Sequence, residues 1–189
     1  YEEAMLGVLN FQTYLQNLLS ENTYAPHIVK SQNVFKLNLF SDPVTLKPDL
    51  KTDASSQQVI VNYSTGLFQF GFGINVIPGL CDEYSMSEDG RDYIFHIRDD
   101  LKYANGKRLH IDDVKAGILK GLNGPNHNLL EMISGAKEYL QFKDENLLWV
   151  RVLDHNRIKI RLEYPYLAFL SNFATNIADP YLDGDLPVG

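Results

Sequence analysis

The chain has 189 residues, 44% hydrophobic and 22% charged, an ordinary globular composition with length for one sizeable core or two small lobes. Its net charge of −7 argues against nucleic acid as a partner, which needs clustered Lys and Arg, and disfavours an anionic membrane surface. No apolar run approaches the ~20 residues of a spanning helix. The single cysteine, Cys81, excludes an internal disulfide framework and is expected as a small buried hydrophobe. There is no initiator Met, signal peptide or early lipid-attachment Cys, so a mature or cut product is expected.

Residues 2–20 read as an amphipathic helix: Val8, Phe11, Leu15, Leu18 and Leu19 form one stripe, with Glu2 and Glu3 at its start. It can pack on the following domain, link to an upstream one, or bind a partner. The polar stretch 22–33, with Pro26, reads as a loop. Phe35, Leu37 and Leu39 alternate with Lys36 and Asn38, which predicts a strand over 34–40. Asp53 can cap a helix, expected over 53–66, in which Val59, Ile60, Tyr63 and Leu67 share a face. The run Gly66 to Gly73 supplies turn and strand-edge glycines. As a phosphate loop it lacks the third Gly and the strand–helix context.

The most informative stretch is 84–114. Tyr93, Phe95 and Ile97 point one way and Ile94, His96 and Arg98 the other, the period of a strand. Ser87-Glu88-Asp89-Gly90 before it is turn chemistry, with Gly90 free to take positive φ, and Asn105-Gly106 is a second tight turn. Ile111, Val114, Ile118 and Leu122 then share a helical face, with Asp112 and Asp113 near the positive end of the helix dipole. Residues 121–128 read as a loop and 129–140 as a helix. Residues 148–153 and 157–162 alternate as strands around Asp154-His155-Asn156. Tyr164-Pro165-Tyr166 opens a short apolar helix to Phe173.

No catalytic constellation emerges, so no enzyme is expected. There is no G-x-S-x-G elbow, H-x-x-x-H or C-x-x-C, and no metal or cofactor site is read. Asp99-Asp100 and Asp112-Asp113 are adjacent rather than facing, and suit a solvated turn and the helix dipole.

In order and spacing, Ser87, Asp89, Gly90, Tyr93, Phe95, Arg98, Lys102, Gly106, Leu109, Asp113 and Val114 match the pattern W-x-x-S-x-D-G-x-x-Y-x-F-x-L-R-x-x-x-K-W-x-x-G-x-x-L-T-A-x-D-V. The stretch thereby resembles the solute-binding proteins that serve ABC importers of peptides and nickel. Tyr84 and Tyr103 stand where that family has Trp. His110-Ile111 replaces Thr-Ala, so the hydroxyl N-cap is missing. Asp42-Pro43-Val44-Thr45-Leu46-Lys47-Pro48 resembles the family's D-P-x-T-L-D-P opening, with Lys47 in place of Asp. Pro187-Val188-Gly189 resembles the start of P-V-G-T-G-P-Y.

The resemblance implies an α/β fold of mixed α+β character: lobe I of a type II periplasmic-binding-protein-like architecture, a mostly antiparallel sheet with packed helices. That sheet should lie around 80–98 and 148–162, with helices 53–66, 110–122 and 129–140 on it. Residues 1–33 would be a helix and linker, and 34–189 the first part of lobe I, with lobe II absent. The strand at 34–40 would join a second sheet with the segment following Gly189.

The implied function is the substrate-binding component of an ABC importer for short peptides, an extracytoplasmic monomer with the membrane permease as partner. A leader and any lipid anchor would already be removed. This chain would supply one wall of the cleft and bind no peptide tightly alone. Lys51, Thr52, Asp53, Ala54 and Ser55 are the implied ligand-facing segment, with Asn126 or His127 a second contact. Each has a plainer reading: Asp53 as an N-cap, Thr52 and Ser55 as satisfying the helix start, Lys51 as solvated, and His127 as exposed in a loop. Two other functions stay open, a ligand-sensing module of a regulatory protein and an interaction domain that has lost binding.

Overall fold

The computed structural model describes residues 38–72 and 75–182. The chain divides into two compact units, Tyr1–Phe40 and Ser41–Gly189. The expected helix at 2–20 lies outside the described residues, as does the expected strand at 34–40 except for Asn38, Leu39 and Phe40, which form no strand.

In the second unit a 3-10 turn, Pro48–Leu50, leads to α1 (Ala54–Ile60) and a two-stranded ribbon of β1 (Phe68–Phe70) and β2 (Val76–Pro78). Then follow β3 (Cys81–Met86), β4 (Asp92–Ile97), α2 (Ile111–Asn123), a second 3-10 turn (His127–Leu129) and α3 (Ala136–Phe142). Strands β5 (Val150–Val152) and β6 (Arg157–Arg161) precede α4 (Phe169–Phe173). The main sheet is antiparallel in the order β3-β4-β6-β5, and its two hairpins enclose the α2–α3 excursion.

Alternation sets the faces. In β4, Tyr93, Phe95 and Ile97 are buried while Asp92, Ile94 and His96 are partly exposed. In β6, Ile158 and Ile160 are fully buried. The β3–β4 turn closes with Gly90 at φ 68°, Ser87 N–H donating to Asp92 O at 2.9 Å and Asp92 N–H to Ser87 Oγ at 2.9 Å. Asp154 closes the β5–β6 turn, its Oδ1 accepting from the N–H groups of Asn156 (3.1 Å) and Arg157 (2.9 Å).

Helix α2 lays Ile111, Val114, Ile118 and Leu122 onto the buried sheet face. Its start lacks a hydroxyl cap, as expected, but Asp113 Oδ2 accepts from His110 N–H at 2.9 Å, the acidic half of a capping box. Aromatic rings fill the space beside it: Tyr93–Phe169 at 5.0 Å, Phe169–Phe173 at 5.1 Å and Phe68–Phe95 at 5.7 Å between centroids. Burying each such side chain contributes roughly 1.5–3 kcal/mol. The adjoining buried flank of α2, at Gly117 and Gly121, is overlain by residues 177–180. A Cβ on Gly117 would lie 2.4 Å from Ala178 O, and one on Gly121 2.6 Å from Ile177 O.

Three expected boundaries are corrected. Beyond the 3-10 turn, residues 130–135 are not helical: Ile133 bridges Leu162 and Gly135 takes φ 77°, so α3 starts only at Ala136. Leu147 O sits 1.9 Å from where a Gly135 Cβ would stand, so this crossing requires Gly. Helix α1 stops at Ile60 rather than reaching 66, and Leu67 enters the core just before β1. Helix α2 runs on to Asn123, so the loop expected from 121 begins at Gly124.

Candidate binding site

Two segments form the candidate wall. The first follows the Pro48–Leu50 turn. Lys51 is extended (φ −65°, ψ 137°), and Asp53 (φ −130°, ψ 157°) caps α1, its Oδ1 accepting from Ser56 N–H at 2.8 Å. Ser56 also donates its hydroxyl to Asp53 Oδ2, and the two bonds hold that carboxyl below the usual carboxylate range. The strap 41–46 lies against this start: Thr45 N–H donates to Ser56 Oγ at 3.1 Å, and the Ser41 and Ser55 hydroxyls meet at 3.1 Å.

The second segment leaves α2. Asn126 Nδ2 donates to Lys51 O at 2.7 Å, so the structure brings 51–55 and 126 together across the lobe. His127 opens the second 3-10 turn, and its Nδ1 lies 2.8 Å from Glu131 Oε1. It is half-buried rather than exposed. His127 and Glu131 stand at i, i+4, a spacing legible in the sequence.

Exposure sorts the candidates. Thr52 and Ala54 face solvent, Asp53 and Asn126 are half-buried, and Ser55 is buried against Ser41. Lys51 is not solvated: it is 6% exposed, and its ammonium donates to Thr175 O and, at 3.3 Å, to Pro48 O. Burial pushes it down to about 8, against the pull of Asp179 and Asp49.

Beneath the wall lies a buried polar cluster that sequence reasoning missed. Asp179 is 1% exposed, and its Oδ2 accepts from Ser64 Oγ and from Asn176 Nδ2 at 2.8 Å. Burial pushes Asp179 up to about 6, opposed by those hydrogen bonds and by the Lys51 charge. Asn176, at φ 64°, also accepts from Gln57 Nε2 of α1 at 3.3 Å. A pocket of about 300 Å³ opens beside the cluster, lined by Val61, Ser64, Gln69, Phe70, Ala174 and Asn176. The one available signal was a lone carboxylate closing the mostly apolar run 173–178.

Catalytic chemistry has little to work with among the described residues. Burial pushes the Cys81 thiol up to about 12, too high for a nucleophile at neutral pH. His96 on the outer sheet face is fixed at both nitrogens, by Asp82 at 2.6 Å and Asn156 at 2.8 Å. No three His, Cys, Asp or Glu side chains among the described residues gather to hold a metal ion.

Residues 75–186 match the family model described as bacterial extracellular solute-binding proteins, family 5 Middle. The glutathione-binding protein GsiB of Salmonella typhi is 30% identical over 134 residues, 71% of this chain and 24% of that protein. The probable deoxycholate-binding periplasmic protein YgiS of Escherichia coli K12 is 27% identical over 150 residues, 76% of this chain and 28% of that protein. Among solved structures, a periplasmic oligopeptide-binding protein from Borrelia burgdorferi superposes with TM-score 0.71 at 27% identity, covering 77% of this chain and 31% of that one. The substrate-binding domain of a Bacillus anthracis oligopeptide ABC transporter gives 0.68 at 22% identity, covering 73% and 28%. The chain thus spans about a quarter of the length of the curated relatives it matches.

Proposed function

This chain belongs to the bacterial extracellular solute-binding proteins of family 5, and from that membership we propose that it supplies one wall of a peptide-binding cleft in an ABC importer. Thr52, Asp53 and Ala54, with Asn126 and His127, form the ligand-facing part of this wall, and Lys51 and Ser55 lie buried behind it. The permease is the partner, and the protein works outside the cytoplasm without chemistry on its ligand.

One observation carries the placement: the Asn126 side chain is bonded to the Lys51 carbonyl. Two segments far apart in sequence thereby become one surface, on which Thr52 and Ala54 are exposed. An extended backbone at Lys51 and Asp53 suits pairing with an extended ligand, a mode that binds main chain and tolerates varied side chains. The relatives support a peptide as the ligand class: two are named for oligopeptides, and glutathione is itself a tripeptide. A relative named for deoxycholate makes a steroid acid the competing ligand.

Native mass spectrometry of the full-length protein, purified without refolding, tests this. Adducts spread over the masses of short peptides are expected. A single discrete adduct of non-peptide mass, or a clean apo mass, would overturn the peptide reading.

A further inference from the structure

The pocket of about 300 Å³ beside Asp179 has walls of two kinds. Val61, Phe70 and Ala174 are apolar, and the first two are exposed. Ser64, Gln69 and Asn176 are polar, and their internal hydrogen bonds decide what each has left to offer. Ser64 spends its hydroxyl proton on Asp179 Oδ2, so its oxygen keeps only lone pairs. Asn176 spends its amide protons on Asp179 Oδ2 at 2.8 Å and on Ser64 O at 3.4 Å. A carboxylate accepts only donors, which fixes this amide the same way round. Its Oδ1 accepts from Gln57 Nε2 at 3.3 Å and retains a second lone pair. Gln69 Nε2 donates to Thr65 Oγ1 at 3.3 Å, which leaves Oε1. All three polar side chains therefore offer acceptors.

The charge behind them has the matching sign. Asp179 is 1% exposed, and its Oδ1 has no hydrogen-bond partner. None of the six lining residues is cationic. The buried Lys51 ammonium is not among them and donates to Pro48 O and Thr175 O. Three acceptors backed by a buried carboxylate and flanked by apolar side chains match a primary ammonium on an apolar stem, which brings three donors and a positive charge. A hydroxyl brings one proton, a carboxylate none, and a guanidinium more donors in a planar fork than three acceptors can meet.

We infer that this pocket is a subsite for a primary alkylammonium, which on a peptide ligand is a lysine side chain. The carrier rests on the peptide reading; the ammonium chemistry does not. The spacing suits that carrier. Asp53 is the N-cap of α1 and Val61 its C-cap. The helix between them rises about 10 Å, the length of about three residues of extended chain. A short peptide is thus long enough to reach from the wall to the pocket.

Calorimetry on the full-length protein with two tripeptides tests this: Ala-Lys-Ala, and Ala-norleucine-Ala, whose stem lacks the charge. The wild type should bind the lysine peptide about tenfold or more the tighter, as a charge-assisted hydrogen bond would give. Free n-butylammonium should shift the side-chain amide NMR signals of Asn176, and neutral n-pentanol should not. Gln69→Lys supplies an ammonium to the pocket from within and should abolish both responses, while Gln69→Leu should cut the lysine preference several-fold. Gln69 is half-exposed, so both variants should keep the wild-type thermal midpoint. Equal binding of the two tripeptides by the wild type, or a lysine preference that Gln69→Lys leaves intact, overturns the subsite. Failure of both tripeptides and of n-butylammonium overturns it too. If neither tripeptide binds while n-butylammonium shifts Asn176 in the wild type and not in Gln69→Lys, the subsite stands and the peptide reading fails.

Discussion

Asn126 and Lys51, 75 residues apart, are joined by a 2.7 Å hydrogen bond from side-chain amide to main-chain carbonyl. The bond fixes where the loop after α2 meets the turn before α1, because Lys51 itself is pinned from within. Asn126→Ala should therefore loosen the wall without harming the core. A hydrogen bond of this kind contributes about 1 kcal/mol net. The expected loss in thermal midpoint is about 2–4 °C for a chain of this size, measured by calorimetry.

Removing the buried Lys51 ammonium should cost more than removing the single bond from Asn126. Lys51→Met leaves the buried Pro48 and Thr175 carbonyls without their donor, and should destabilise by roughly 2 kcal/mol. Urea denaturation measures it. A loss as small as that of Asn126→Ala would mean that the two carbonyls find other donors.

Global stability should depend on pH through the buried Asp179. Asp179 is raised from 3.8 to about 6, so its contribution to folding is fully present below pH 3.8 and is lost as pH rises through about 6. Complete unfolding hydrates the carboxyl and returns it to its ordinary value. Asp179→Asn should thus gain stability relative to wild type between those two pH values, then hold the gain at neutral pH. Urea midpoints measured across this range check the sign; a variant that loses ground as pH rises would contradict it.

Gly117 couples the core to the cluster. A methyl group there meets Ala178 O at 2.4 Å, so Gly117→Ala must displace the strand of chain that carries Asp179. Overpacking of this sort costs about 1–3 kcal/mol. The expected signature is a lower urea midpoint together with raised exchange over 175–180; raised stability would show that the segment yields freely.

Much of this fold was legible because its signals are local. The period of Tyr93, Phe95 and Ile97 and the face of Val114, Ile118 and Leu122 fixed one layer each, and both sets are buried. Asp53 is the cap its position implied. The failures are non-local. Residues 129–135 have helical-looking spacing, but Ile133 is claimed by Leu162 and Gly135 by the crossing of Leu147. The candidate segment 51–55 came from resemblance rather than from pattern. Lys51 reads as a surface lysine because nothing near it in sequence shows that Thr175, 124 residues on, takes its proton donor.

Thr52 offers the most direct test of the wall, since it is exposed. Thr52→Arg should fill ligand space while leaving the thermal midpoint unchanged. Native mass spectrometry of the two full-length proteins, purified side by side, should show peptide-mass adducts on the wild type and few or none on Thr52→Arg. Equal adducts on both would place the ligand elsewhere and contradict the assignment of this surface as the cleft wall.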